Sequence, residues 1–321
     1  MPEELHSVVV PVYNEETVIN SFYERATQAL GVLPGFEIIF VDDGSTDTTT
    51  ERIRQLASTD ARVRLVRLSR NFGQQLALTA GIDAATGDTV TVIDCDLQDP
   101  PELIPDMVKL WREGADVVFA VRERRHGESW HKRATAKLFY RTMHMLTSVD
   151  IPMDHSEFRL VSRRAANELR AMREQHRYTR GMVSWLGMNR SFIRYDRQPR
   201  EAGETKYSYA KLIRVAADGI VSFSIRPLQF ATYLGFLAAG FSAAYGVFVL
   251  LHWLLTRESV EGWTSLVIVV LFLGGVQLLT LGVIGEYIGR IYDDVRARPL
   301  YVVDDMVGFP PSSKPASGET E

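Results

Sequence analysis

The chain has 321 residues, 46% of them hydrophobic, and a formal net charge of −4 from 36 Lys and Arg against 40 Asp and Glu. The length allows more than one domain, the apolar fraction supports a real core, and the mild negative balance gives no electrostatic reason to expect nucleic acid. The single cysteine, Cys95, excludes an internal disulfide framework, and Met1-Pro2-Glu3-Glu4 lacks the basic and apolar regions of a secretory signal, so the first domain is expected in the cytosol.

Residues 1–200 read as a soluble α/β domain. His6–Val12 is an apolar strand that runs into Pro11-Val12-Tyr13-Asn14-Glu15-Glu16. A helix follows to about Leu30, and Gly31–Gly35 turns the chain into a second buried strand, Phe36–Val41, ending in Asp42-Asp43-Gly44-Ser45-Thr46-Asp47. After another helix come the strand Val63–Leu68, the loop Ser69-Arg70-Asn71-Phe72-Gly73 and the helix Gln74–Ala85. The apolar run Val90-Thr91-Val92-Ile93 reads as a further strand, breaking into Asp94-Cys95-Asp96-Leu97-Gln98-Asp99-Pro100-Pro101. A helix over Glu102–Arg112 and a strand over Asp116–Val121 complete the pattern. Such alternation predicts βαβ units and a mostly parallel sheet, whose ligands bind at the carboxyl ends of the strands.

Asn14/Glu15, Asp42/Asp43, Asp94/Asp96 and Arg122 all fall at predicted strand ends. Asp94 and Asp96 are two apart and leave an extended chain from one face; with Gln98 they offer hard oxygen ligands suited to Mg²⁺ or Mn²⁺. Alone, these residues also fit a solvated acidic turn capping the next helix, with Pro101 near its first position. Repetition of polar clusters at three strand ends favours a site. The first turn carries no G-x-G-x-x-G, and no P-loop appears. Acidic residues facing a diphosphate require a divalent cation between them. Cys95 is expected to pack as a small apolar residue.

A mean hydropathy of −0.06 hides a strong asymmetry. Residues 201–226 carry Tyr209, Leu212, Ile213, Ala216, Ile220 and Phe223 at helical spacing beside Lys206, Lys211 and Arg214, an interfacial amphipathic segment. Residues 227–291 contain two spans, about 228–255 and 264–288, each longer than the ~20 residues needed to cross a bilayer. Arg226 precedes the first span, and Arg290, Arg296 and Arg298 follow the second. The tip has only Arg257, beside Glu258 and Glu261, so both termini are expected in the cytoplasm. Gly235, Ala239, Gly240, Ala243, Ala244 and Gly246 give the first span a side suited to close helix packing. Residues 292–321 are expected to form a cytosolic tail, disordered after Phe309.

These motifs resemble family 2 glycosyltransferases of the GT-A fold, through Val9-Val10-Pro11-Val12-Tyr13-Asn14-Glu15-Glu16, Val41-Asp42-Asp43-Gly44-Ser45-Thr46-Asp47 and Asp94-Cys95-Asp96. More narrowly, the chain is similar to the polyprenyl-phosphate glycosyltransferases, dolichyl-phosphate mannose synthases and, closer, bactoprenol glucosyltransferases. That similarity rests on Ser69-Arg70-Asn71-Phe72-Gly73, Asp96-Leu97-Gln98-Asp99-Pro100-Pro101-Glu102-Leu103, Phe158-Arg159-Leu160, Gly203-Glu204-Thr205-Lys206-Tyr207, Asp218-Gly219-Ile220-Val221-Ser222-Phe223-Ser224 and Arg298-Pro299-Leu300-Tyr301.

The resemblance implies that Pro11, Tyr13, Glu15, Val41 and Asp43 hold the nucleotide, and that Asp94, Asp96 and Gln98 hold the metal and through it the diphosphate. It implies further that Arg122, Lys132, Arg133, Lys137 and Lys206 receive the acceptor phosphate. Asp96, Arg122 and Glu157 would be the catalytic residues. Where related enzymes often carry Gly-Asp-Phe-Arg-Leu, this chain has Ser156-Glu157-Phe158-Arg159-Leu160, which leaves Glu157 as either a base or an acceptor-orienting group. The implied reaction is inverting transfer of one sugar from a nucleotide-sugar, UDP-glucose being the best match, to undecaprenyl phosphate at the cytosolic face of the cell membrane, by a homo-oligomer for which a tetramer is suggested. GDP-mannose, UDP-galactose or an amino-sugar donor is the alternative. A processive polysaccharide synthase of the same fold usually carries Q-x-x-R-W and more spans, and the motif is absent. An inactive scaffold or nucleotide sensor would be expected to have lost a carboxylate of the Asp94/Asp96 pair.

Overall fold

The structure, a computed structural model, describes residues 4–122, 155–195, 224–256 and 262–309. Residues 4–122, 155–195 and 299–309 of these belong to one compact unit, and 224–256 with 262–298 to a second.

Among its described residues the first unit is an eight-stranded sheet with helices on both faces. Strands β1 (His6–Val12), β2 (Phe36–Asp42), β3 (Val63–Leu68), β4 (Thr89–Val92), β5 (Val117–Arg122), β6 (His155–Ser162), β7 (Arg190–Tyr195) and β8 (Val303–Val307) are ordered β7-β5-β6-β4-β1-β2-β3-β8. The pairs β1–β2, β1–β4, β2–β3 and β5–β7 are parallel; β4–β6, β5–β6 and β3–β8 are antiparallel. The expected mostly parallel α/β sheet is thus present. Every residue of β1 and β2 is buried, as central strands covered on both faces require.

Helices α1 (Ile19–Leu30), α2 (Thr49–Thr59), α3 (Gln74–Ala84), α4 (Ile104–Arg112, entered through a 3₁₀ turn at Pro101–Leu103), α5 (Arg163–Ala171) and α6 (Thr179–Trp185) surround the sheet. Val8, Val10 and Val12 share one core with Ile19, Phe22, Ile104 and Met107. On the other face α3 crosses β1 so closely that a Cβ on Gly81 would lie 2.2 Å from Val9 Cγ1 and 3.0 Å from Val41 Cγ2. Overpacking of this kind costs about 1–3 kcal/mol, more than the ~1 kcal/mol alanine gains over glycine inside a helix. Gly81→Ala is therefore expected to lower the melting temperature of this unit by a few degrees, measurable by calorimetry; an unchanged melt would show that α3 is free to shift.

The amino-terminal edge of the sheet also carries a buried carboxylate, but its partners are local. Glu37 accepts from Ser7 Oγ at 2.5 Å and Thr86 N at 3.0 Å and pairs with Arg64 at 2.6 Å. That edge is held together by polar contacts within the fold.

Strand β8 differs from the expected tail. Residues 303–307 leave the second unit's helices behind and pair with β3, Leu68 opposite Val303 and Leu65 opposite Val307. Ser69 N donates to Val302 O at 2.9 Å, Arg54 pairs with Asp305 at 2.8 Å, and Tyr301 OH donates to Asp83 Oδ2 at 2.7 Å. A five-residue strand with Asp304 and Asp305 adjacent has no clean alternation, so only its pairing partner reveals it.

Among its described residues the second unit consists of α7 (Arg226–Thr256) and α8 (Trp263–Val295), longer than the expected spans. Both are long and apolar enough to cross a membrane. Their apolar side chains are mostly exposed, Phe236 at 72% and Leu271 at 69%, which separates them from core helices of a soluble fold. Residues 201–223 of the amphipathic segment, and the tail from 310, lie outside the described residues.

Candidate active site

The carboxyl ends of β1, β2 and β4 converge with the start of β6, which runs antiparallel to β4 with Val92 opposite Arg159. Two side-chain stitches join the turns that follow β1 and β2. Asn14, in left-handed conformation at φ 55°, donates its N–H to Ser45 Oγ at 3.0 Å and accepts from Thr46 N at 2.8 Å through Oδ1. Glu15 N donates to Thr49 Oγ1 at 2.9 Å.

The adjacent aspartates after β2 divide their work. Asp42, fully buried, accepts from Ser45 N at 2.9 Å and from Thr50 Oγ1, closing the turn. Asp43 accepts from Phe72 N at 2.7 Å and Gly73 N at 2.9 Å, pinning the loop Ser69–Gly73. Burial pushes its carboxyl up from the usual aspartate value in spite of those two bonds. Gly44 (φ 73°) makes the approach possible: a Cβ there would lie 2.6 Å from Arg70 C.

The acidic loop does not continue as a strand. β4 ends at Val92 and residues 95–96 turn, so Asp94 and Asp96 are not related by strand alternation. Asp96 Oδ1 accepts from Gln98 N at 3.1 Å, and Leu97 takes a left-handed φ of 58° between them. A non-glycine residue held there costs on the order of 1 kcal/mol. Asp94 Oδ1 accepts from Gln74 Nε2 at 2.8 Å. Burial, then the charges of Glu157, Asp99 and Asp96, push the Asp94 carboxyl up to about 7. Buried Asp99 accepts from Tyr195 OH at the end of β7, and Cys95 packs in the core.

Gln98 is 4% exposed, and its Oε1 is a buried acceptor with no hydrogen-bond partner among the described residues. A buried orphan oxygen beside crowded carboxylates fits a hard divalent cation. Among the described residues no three His, Cys, Asp or Glu side chains form a cage for an ion. Mg²⁺ needs no such cage: it binds through one or two carboxylates and completes its shell with water and substrate phosphates.

At the far side of the edge Glu157 is 5% exposed. Arg159 Nη1 donates to its Oε2 at 2.9 Å and Arg180 Nε to its Oε1 at 2.6 Å. Burial alone would raise this carboxyl, but the charges and hydrogen bonds of the two arginines outweigh it and hold it down to about 2. Arg159 Nη2 also donates to Thr179 Oγ1 at 2.8 Å.

The expected residues are thus not all equivalent in place. Tyr13 is 45% exposed beyond β1, whereas Pro11 and Val41, opposite each other in register, are buried within the sheet. Arg122 is the last residue of β5, in register with Tyr195, so its backbone lies beside the brace of the acidic loop. Lys132, Arg133, Lys137 and Lys206 lie outside the described residues. Sequence reading gave no role to Gln74, Gln75, Asp99, Thr179, Arg180 or Tyr195. Arg159 had a signal, a charge inside the apolar run Phe158–Val161.

Residues 7–170 match the glycosyl transferase family 2 model. The chain is 46% identical over 305 residues to an uncharacterized glycosyltransferase, YkcC, of Bacillus subtilis (strain 168), covering 95% of this chain and 94% of that one. It is 41% identical over 298 residues to the bactoprenol glucosyl transferase of Shigella phage SfV, covering 92% of this chain and 97% of the other. Among solved structures, glucosyl-3-phosphoglycerate synthase from Mycobacterium tuberculosis, crystallised with Mn²⁺, uridine-diphosphate-glucose and phosphoglyceric acid, is 22% identical with a TM-score of 0.44, over 68% of this chain and 78% of that one.

Proposed function

The chain belongs to glycosyltransferase family 2, with the GT-A architecture, and on that premise we propose that it transfers a single sugar from a nucleotide-sugar to a polyprenyl phosphate at the cytosolic membrane face. The observation that carries this reading is the crowding of Asp94, Asp96 and Asp99 with the orphan Gln98 Oε1 at the strand ends. The acceptor class comes from relatives named bactoprenol glucosyl transferase that match nearly the whole chain. UDP-glucose is the first-choice donor, and the linkage is inverted.

Asp94, Asp96 and Gln98 would hold Mg²⁺ or Mn²⁺. The ion, when bound, supplies Lewis-acid stabilisation of the leaving diphosphate. Tyr13, Glu15 and Asp43 would border the nucleotide, Asp43 through the loop it pins, while Pro11 and Val41 shape the strand ends by packing. Glu157, with each oxygen on an arginine and its pKa near 2, is a poor proton acceptor. We assign it to positioning. An ionised phosphate acceptor needs no strong base; it needs alignment, and cations to offset repulsion between the two phosphates. Arg122, Lys132, Arg133, Lys137 and Lys206 are the residues proposed for that.

Residues 227–291 would form a membrane hairpin and 201–226 an interfacial segment. β3 precedes the hairpin and β8 follows it, yet they pair in one sheet, so an even number of crossings returns the chain to the same side. With the distribution of arginines, that side is the cytoplasm.

The test is transfer in detergent with undecaprenyl phosphate and Mn²⁺ or Mg²⁺, offering UDP-glucose, UDP-galactose, UDP-N-acetylglucosamine and GDP-mannose separately and weighing the lipid product. A hexosyl lipid from UDP-glucose, abolished by chelator, is the expected result. No lipid product from any donor would overturn the acceptor assignment.

A further inference from the structure

The stretch Phe72–Gln75, which leads into α3, reaches three carboxylates that belong to three different strand ends. Phe72 N and Gly73 N hold Asp43, Gln74 Nε2 holds Asp94 at 2.8 Å, and Gln75 Nε2 holds Glu157 at 3.3 Å. We infer that Gln74 and Gln75 are positioning residues with separate duties, Gln74 orienting Asp94 on the cation and diphosphate side and Gln75 fixing the Glu157–Arg159–Thr179 group on the acceptor side. This rests on the proposed reading of the site.

Gln75 uses both ends of its amide. Its Oε1 accepts from Thr179 N at 3.0 Å and from Thr179 Oγ1 at 2.8 Å, while its Nε2 donates to Glu157 Oε1. Thr179 opens α6, whose first N–H groups have no partner within the helix. The cap therefore comes from a side chain 104 positions earlier in the chain. Thr179 in turn receives Arg159 Nη2, and Arg159 and Arg180 both hold Glu157. Neither a glutamate, which lacks the donor, nor a lysine, which lacks the acceptor, could make this set of bonds.

Gln74 does something different with the same group. Asp94 stands among the charges of Glu157, Asp99 and Asp96. A neutral amide donor fixes the carboxylate without adding charge or competing with a cation for the site. Residues one step out from a metal ligand act in this way, and their loss typically costs about 10–100-fold in metal affinity or activity.

The experiment uses the full chain in detergent and two constants: the Mn²⁺ dissociation constant in the presence of UDP, from the electron paramagnetic resonance of free Mn²⁺, and KM for undecaprenyl phosphate. Gln74→Met keeps the shape and removes the hydrogen bond. It is expected to raise the Mn²⁺ constant about 10-fold or more and to leave the acceptor KM within about twofold. Gln75→Met is expected to do the reverse, raising the acceptor KM by roughly 10-fold. Because that variant could unfold α6, Gln75→Glu is its companion: it keeps the cap on Thr179, replaces the donor to Glu157 by a like charge, and is expected to raise the acceptor KM as well. The inference is overturned if either glutamine moves both constants together, as a merely structural role would, or if the variants move neither. A wild-type protein that transfers no sugar and binds no Mn²⁺ with UDP would instead remove the reading beneath it.

Discussion

Asp96→Asn is expected to slow sugar transfer by about 10²–10³-fold, the several kcal/mol that an ion stabilising a leaving group supplies. The substitution is nearly isosteric, and the oxygen that accepts from Gln98 N at 3.1 Å survives as the amide oxygen. The turn around Leu97 therefore keeps its hydrogen bond, and the melting temperature is expected to change by no more than about a degree, as for substitutions without a buried-packing cost. What is lost is a charge. Transfer measured at saturating Mn²⁺ checks the effect; a variant retaining more than about a tenth of the wild-type rate would show that Asp96 does not hold the cation.

Arg159→Leu carries the largest expected effect on stability. Arg159 and Glu157 are 1% and 5% exposed and 2.9 Å apart. Removing one partner of a buried pair costs about 3–5 kcal/mol, because the remaining charge stays buried without full compensation. Arg180 still holds Glu157 at 2.6 Å, so the lower end of that range is expected. The pH dependence follows from the sign of the shift. Glu157 is held at about 2 against an ordinary value of 4.5, so the stability it contributes is complete above about pH 4.5 and is lost as pH falls toward 2. Denaturation in the wild type is expected to steepen over that window, and the slope is expected to flatten in the variant. A variant as stable as wild type, with the same acid limb, would show that Arg180 alone suffices.

The central strands were legible because β1 and β2 are short apolar runs bounded by turn residues, and burial on both faces is what such runs encode. The strand-end cluster was legible too, since Asn14, Asp43 and Asp94 interrupt those runs at one end of the sheet. The division of labour within it was not. Asp42 and Asp43 are the same residue type in adjacent positions, and only the fold shows that one closes a turn while the other holds the Phe72–Gly73 backbone. Alternation placed Asp94 and Asp96 on one face, but the strand stops at Val92 and a left-handed Leu97 re-aims the loop. The Gln75–Thr179 bond joins residues far apart in sequence, beyond the reach of any local pattern. β8 escaped for the same reason: its pairing, not its composition, makes it a strand.

That last strand has a consequence for the order in which the protein is made. Leu68 waits for Val303, so at ~5–20 residues per second the outer edge of β3 stands bare for on the order of ten seconds or more after it leaves the ribosome. An open parallel-sheet edge is a template for pairing with other chains. In the proposed topology it is covered only after α7 and α8 have entered the bilayer and the chain has come back out on the side it left. In that topology a polypeptide in which only one of α7 and α8 crosses would leave residues 303–307 on the opposite side from β3, and the edge would stay open.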